Sequence, residues 1–248
     1  YLINLLSKIS DELFVLQECG TIFPGIIPGH YPTSTIMKEY FEKVNDAQFK
    51  LFGNSYVNNL KKNIKILPML SGDLNKCSLK FLSDFLKSDI YIVFGSSYIK
   101  GELVDFLVKQ KAINIHMGVS PYYRGTDCNF WAVYDDNPHL VGATIHMLSK
   151  GLDSGPMLYH AMSNIKTNPF EYTMSTVKAA FHSIAERIED KSIFEIKPII
   201  QNKENEIRYS KKIEFNDEVV KKYFNKEINL NSKKFDNSLL KEPFFLNN

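Results

Sequence analysis

Cysteine is scarce in this chain of 248 residues: only Cys19, Cys77 and Cys128 occur, far apart and with no C-x-x-C spacing. That excludes a disulfide framework and a thiolate zinc site, and a reducing cytoplasm is the expected setting. Long apolar runs are also missing. No stretch approaches the roughly 18 residues needed to span a bilayer, so no membrane partner is expected. The opening YLINLLSKISDE carries charge too early for a signal-peptide core. Charge of one sign is lacking too: 30 basic and 28 acidic residues leave a formal net charge of +2. A phosphate-neutralising surface is therefore not the dominant feature, and nucleic acid is not favoured as a partner. Internal repeats and low-complexity blocks are absent.

What is present is a 44% hydrophobic content, enough for one sizeable core with an appendage or for two small domains. Leu2, Leu5, Leu6 and Ile9 form an amphipathic pattern from the first residue, with no cap and no strand before it. The chain is expected to open inside an element. An apolar run at 13–16 reads as a strand, followed by an excursion through Pro24, Gly25, Pro28 and Pro32. The segment 34–53 is a helix, with Ser34 or Thr35 as cap and Gly53 as stop. IKILPML (64–70) reads as a short strand interrupted by Pro68, and SLKFLSDFLK (78–87) as a helix.

IYIVFG (90–95), ELVDFLVKQ (102–110) and AINIHMG (112–118) follow as strand, helix and strand. This is a βαβ unit with both strands buried in a parallel sheet. Beyond it lie a helix at NFWAVYDD, two β-like runs (VGATIHMLS and GPMLYHAMSNI), a long helix over about 172–190 and a helical stretch at DEVVKKYFNK within a polar, weakly structured end. The adjacent Phe244 and Phe245 near that end are expected to pack on the body or on a partner subunit, which leaves a homodimer possible.

Chemistry concentrates between Ala112 and His160. Alternation along INIH puts Asn114 and His116 on one face and Ile113 and Ile115 on the other. Both polar residues lie at the carboxyl end of a parallel strand, where open α/β sheets place their ligand crevice. Downstream, KGLDSG puts Asp153 in a glycine-flanked loop. By default a strand-end histidine is structural and a loop carboxylate is a turn former; the alternative is that the carboxylate orients or charges a histidine.

The motifs NIHMGVSPYYRG (114–125) and GATIHMLSKGLDSGP (142–156) resemble the folate-dependent formyltransferases, a family that includes the phosphoribosylglycinamide, methionyl-tRNA and nucleotide-sugar N-formyltransferases. The resemblance covers roughly 90–210. It implies the formyltransferase fold: α/β, with a Rossmann-like, open, mostly parallel sheet and flanking helices. A catalytic domain over 1–195, with its first strand missing, and a short carboxy-terminal extension over 196–248 are expected. The same resemblance implies Asn114, His116 and Asp153 as catalytic residues, Ser120, Tyr123 and Arg124 as substrate-binding, and His146 as a supporting motif residue. It further implies that Phe94, Gly95, Ser97, Tyr98, Ile99, Lys100, Ser149, Lys150 and Gly151 cradle the donor, 10-formyltetrahydrofolate, largely through backbone groups. The family's Arg-Gly-Ala-Ala-Pro pattern stands here as RGTDCNFWAV, so Asp127, Cys128 and Asn129 are expected to alter the acceptor pocket.

Formyl transfer needs a neutral amine, a donor for the oxyanion and a proton for the departing nitrogen. The expected division has Asn114 and a protonated His116 facing the oxyanion, with Asp153 keeping His116 charged. No metal is required. The segment Gln201–Asn248 holds ten basic against eight acidic residues, a weak grip for tRNA. A small-molecule amine is expected instead: an amino sugar on a nucleotide first, phosphoribosylglycinamide second. A hydrolase releasing formate is the alternative within the family. Outside it stand a zinc hydrolase using His116, His139, His146 and Asp153, and a non-catalytic folate or nucleotide module.

Overall fold

A computed structural model describes residues 1–20, 34–53 and 62–246. The Gly- and Pro-rich excursion at 24–32 lies outside the described residues.

The chain opens with α1 (Leu2–Ile9), β1 (Leu13–Cys19), α2 (Thr35–Phe52) and β2 (Ile64–Leu70). Helix α2 starts where the Ser34 hydroxyl accepts the Met37 amide at 3.3 Å, and it stops at Gly53 with φ 63°, a conformation glycine adopts without penalty. Strands β1 and β2 pair in parallel. Pro68 does not interrupt β2; it sits within the ladder opposite Gln17, and its missing N–H is tolerated on an edge strand.

A five-stranded sheet holds β3 (Ile92–Phe94), β4 (Ile113–His116), β6 (Ala143–Met147), β7 (Met157–Ser163) and β9 (Phe244–Leu246), side by side in that order. β3 runs parallel to β4 and β7 parallel to β9, while β6 between them is reversed. The sheet is mostly parallel, and the reversed strand carries one arm of the site. Helix α3 (Gly101–Lys109) connects β3 to β4, completing the βαβ unit. Between β4 and β6 lie β5 (Tyr123–Gly125) and α4 (Cys128–Tyr134). Helix α5 (Pro169–Glu189), capped by Asn168 on the Phe170 and Glu171 amides, covers one face of β6 and β7 through Ala179, Ala180 and Ile184.

Two expectations change. The segment 78–87 is not an α-helix but a series of turns around a single 3₁₀ turn at Ser83–Phe85. Ser78 Oγ takes the Phe81 amide at 3.2 Å, and Leu82 is driven fully into the core beside Leu74 and Leu103, with Phe81 left exposed. Ten residues of three-to-four spacing are satisfied equally well by such turns. The carboxy-terminal segment is not loose: β8 (Arg208–Ser210) pairs in parallel with β5, β9 adds an edge to the main sheet, and α6 (Asp217–Asn225) packs on α2. Phe244 and Phe245 pack on the body through β9. The β1–β2 pair forms its own sheet among the described residues, with an apolar groove of about 780 Å³ lined by β1, β3, α1 and α3.

Candidate active site

Asn114 and His116 point from the same face of β4, as alternation requires. Across the β4–β6 ladder Asn114 stands opposite His146, and His116 opposite Thr144. His146 Nδ1 lies 2.8 Å from the Met147 carbonyl oxygen and so carries the proton. Its Nε2 is then an acceptor, and Asn114 Nδ2 donates to it at 3.0 Å. The second Asn114 amide hydrogen reaches Asp153 Oδ1 at a looser 3.4 Å. Asp153 Oδ2 lies 3.4 Å from His116 Nδ1, and His116 Nε2 lies 3.3 Å from the Tyr123 carbonyl oxygen, with Cys128 Sγ at 3.6 Å. Two side chains of β4 and one carboxylate from the 150–155 loop thus meet.

The turn after β4 is shaped by Gly118, where any Cβ would sit 2.5 Å from Cys128 Cβ and 2.7 Å from His116 Nε2. Only a glycine lets the turn close on the histidine. Thr144 Oγ1 donates to the Gly118 carbonyl at 2.6 Å and accepts the Ser120 amide at 2.8 Å, so β6 holds the turn in place.

Asp153 is positioned differently. Its φ of 45° lies in the left-handed region that a non-glycine residue occupies at a cost of about 1–3 kcal/mol. External side chains fix the bend: Arg124 Nη2 donates to the Leu152 carbonyl at 3.2 Å, and Gln201 Nε2 donates to those of Asp153 and Gly155 at 2.9 and 2.8 Å. Glu206 holds Arg124 at 2.9 Å. Gly155 lies so close to β6 that a Cβ would fall 1.7 Å from the Met147 carbonyl oxygen.

Electrostatics separate the two partners. Burial pushes the His116 pKa down and outweighs the upward pull of Asp153, while His146 and Arg124 push the same way as burial. Burial alone would push the Asp153 carboxyl up, but His146, His116 and Arg124 hold it below the usual carboxylate range. The resting pair at pH 7 is therefore a neutral imidazole beside a carboxylate. This departs from the expectation of a charged His116, because desolvation at a buried ring exceeds one carboxylate's attraction.

The residues expected to cradle a donor fall on two neighbouring loops. Tyr98 Oη donates to the Lys150 carbonyl at 2.5 Å, tying 94–101 to 149–153. Asn75 clamps the first loop by bonding Tyr98 O at 2.9 Å and the Lys100 amide at 2.7 Å. Glu18, at the end of β1, accepts both the amide and the hydroxyl of Ser97. Phe94, Tyr98 and Leu152 expose apolar surface, whereas Ile99 is buried against α3. Lys150 pairs with Asp105, and Ser149 Oγ donates to the Gly151 carbonyl oxygen.

Ser120 and Tyr123, expected to bind substrate, are fully buried. The Ser120 carbonyl accepts from His160 Nε2 at 2.8 Å, and the Tyr123 hydroxyl is bonded by Asn137 and Asp135. These bonds make both residues part of the turn. Arg124 is also buried, turned toward the Asp153 bend. Sequence reasoning missed Glu18, Gln201 and Glu206, whose roles depend on partners more than 45 residues away. Among the described residues no group of three or more His, Cys, Asp or Glu could hold a metal ion, so the zinc set with His139 is not assembled. No helix among them is long and apolar enough to cross a membrane.

A family model described as formyl transferase matches residues 84–190, which span β3, β4, the Asp153 bend and α5. The match covers less than half of the chain. The methionyl-tRNA formyltransferase of Trichodesmium erythraeum is 27% identical to the chain over 139 residues, covering 50% of this chain and 41% of that protein. That of Thermotoga maritima is 33% identical over 96 residues, covering 39% and 29%. The chain thus spans less than half the length of these curated relatives. The formyltransferase PseJ from Anoxybacillus kamchatkensis, solved with UDP-4,6-dideoxy-4-formamido-L-AltNAc and tetrahydrofolate, superposes with a TM-score of 0.50 at 22% identity, over 74% of this chain and 85% of that one. At that identity the likeness concerns the fold alone. The matched segment contains Asn114, His116 and Asp153, whereas Gln201 reaches the bend, and Glu206 reaches Arg124, from outside it.

Proposed function

We propose that the protein transfers a formyl group from 10-formyltetrahydrofolate to a primary amine. The observation that carries this reading is the meeting of Asn114, His116 and Asp153, within the matched segment, at distances of 3.4 Å from the carboxylate to each partner.

The donor supplies a formyl carbon attached to a nitrogen that can leave. The exposed faces of Phe94 and Tyr98 suit a flat ring. Backbone groups at Gly95, Ser97, Ile99, Lys100, Ser149, Lys150 and Gly151 frame its polar edge, on loops already tied to each other beside the site. Asn114 keeps one amide hydrogen on His146, and its loosely held second hydrogen turns to the developing oxyanion. The neutral His116 accepts the attacking amine's proton at Nδ1, between ring and carboxylate, and the His116–Asp153 pair returns it to the departing nitrogen.

For the acceptor, an amino sugar on a nucleotide carrier comes first and phosphoribosylglycinamide second. The near balance of charge over Gln201–Asn248 supports a small acceptor over tRNA. Methionyl-tRNA comes third, kept in view because the relatives in sequence bear that name. Turnover with a panel of nucleotide-linked amino sugars, phosphoribosylglycinamide and charged initiator tRNA decides the order, and turnover on charged tRNA alone reverses it. Formate release with no acceptor would instead identify a hydrolase, and no turnover of any kind would sink the reading.

A further inference from the structure

The buried amide of Gln201 has no part in the chemistry just described, yet it sits against the bend that does. We infer that Gln201 is a positioning residue, which holds the Asp153 carboxylate in register with His116 and Asn114; the inference rests on the formyl-transfer reading for its kinetic consequences but not for its geometry.

Gln201 is only 8% exposed, and its Nε2 donates to two carbonyls of one bend, Asp153 at 2.9 Å and Gly155 at 2.8 Å. Both partners are acceptors, so only the NH₂ end of the amide can face them. The other end, Oε1, is buried with no partner. A group that leaves one polar atom buried and unpaired loses stability on that side, so simple fold stabilisation is a poor reason for an amide here. What the amide does achieve is to straddle a residue whose φ is 45°. The left-handed conformation directs the Asp153 carboxylate back toward β4, and a non-glycine residue keeps it only when its surroundings impose it. Gln201 is itself fixed by the chain just before it, where Ile199 and Met157 exchange backbone hydrogen bonds of 2.7 and 2.9 Å at the start of β7. The tether therefore connects the bend to the main sheet without passing through the reacting groups.

The test uses Gln201→Met, close in size but without a donor, and Gln201→Asn, which keeps the amide but falls short of both carbonyls. The readout is the His116 titration by NMR in the full chain, with the melting curve as a check on folding. Asp153 pulls the His116 pKa up against burial, so a carboxylate that drifts away lets it fall further. Both variants should lower the His116 pKa in the same direction as Asp153→Asn, and the double variant with Asp153→Asn should add nothing more. Turnover should drop roughly 10- to 100-fold, with KM for either substrate within about threefold. A His116 titration that stays at the wild-type position in whichever Gln201 variant folds, while Asp153→Asn moves it, overturns the inference. So do effects of Gln201 and Asp153 that simply add. Because the titration needs no substrate, it separates failure of this tether from failure of the formyl-transfer reading.

Discussion

Asn114 and His116 are held by a β-ladder, whereas Asp153 is held by side chains. On the strand side, main-chain hydrogen bonds between β4 and β6 set both residues at fixed spacing, and Thr144 and His160 secure the turn that follows. On the bend side, one strained residue is kept in place by Arg124 and Gln201, and Arg124 by Glu206. The difference teaches where each half is vulnerable. A ladder is cooperative and does not loosen one residue at a time, while a bend tethered at three carbonyls can drift by an ångström when one tether is cut.

The comparison is sharpened most by removing the strand-borne groups themselves. Asn114→Ala and His116→Ala should each lower kcat by about 100- to 1000-fold in initial-rate assays, as expected for a lost oxyanion donor or proton carrier. Both should leave binding of a folate analogue measurable by calorimetry. Near-normal turnover in either would remove these two from the reaction.

A slightly smaller effect lies in the stability of the strand side. His160 Nε2 donates to Ser120 O while its Nδ1 accepts the Lys241 amide, an arrangement that requires a neutral ring. Burial lowers its pKa from 6.5 to about 4. A depressed folded-state pKa gives stability that is fully present above pH 6.5 and is lost as pH falls toward 4. About 3 kcal/mol is involved, with His116 adding in the same direction. Urea unfolding at a series of pH values should show this slope, and His160→Gln should flatten it; identical slopes would contradict the assignment.

The bend side should respond more gently and without loss of stability. Arg124 uses one guanidinium nitrogen for Glu206 and another for the Leu152 carbonyl, a fork that lysine cannot reproduce. Arg124→Lys should reduce kcat by about tenfold while the melting temperature barely moves, since one of three tethers is released. If Arg124→Lys instead melted the protein, the bend would be part of the rigid frame and the contrast between the halves would disappear.

Much of this was legible in advance. Alternation in INIH placed Asn114 and His116 together, the cap and stop of α2 were readable at Ser34 and Gly53, and the βαβ unit followed from two apolar runs around an amphipathic one. The helix expected at 78–87 failed because short turns bury Leu82 as well as a helix would. The burial of Ser120 and Tyr123 was not readable, because a motif states which residues occur in a loop, not which of them face inward.

The sequence by itself determined the alternation in β4, the start and stop of α2 and the identity of the polar groups that meet at the site. Such features arise from neighbours within a few residues, and chain geometry links them to local pattern. Only the tertiary structure decided that β6 runs against its neighbours, that the β1–β2 pair stands apart, and that the site draws on the segment after Ile199. Gln201 and Asp153 are 48 residues apart; contacts across such a separation depend on how whole elements pack, which no local periodicity encodes.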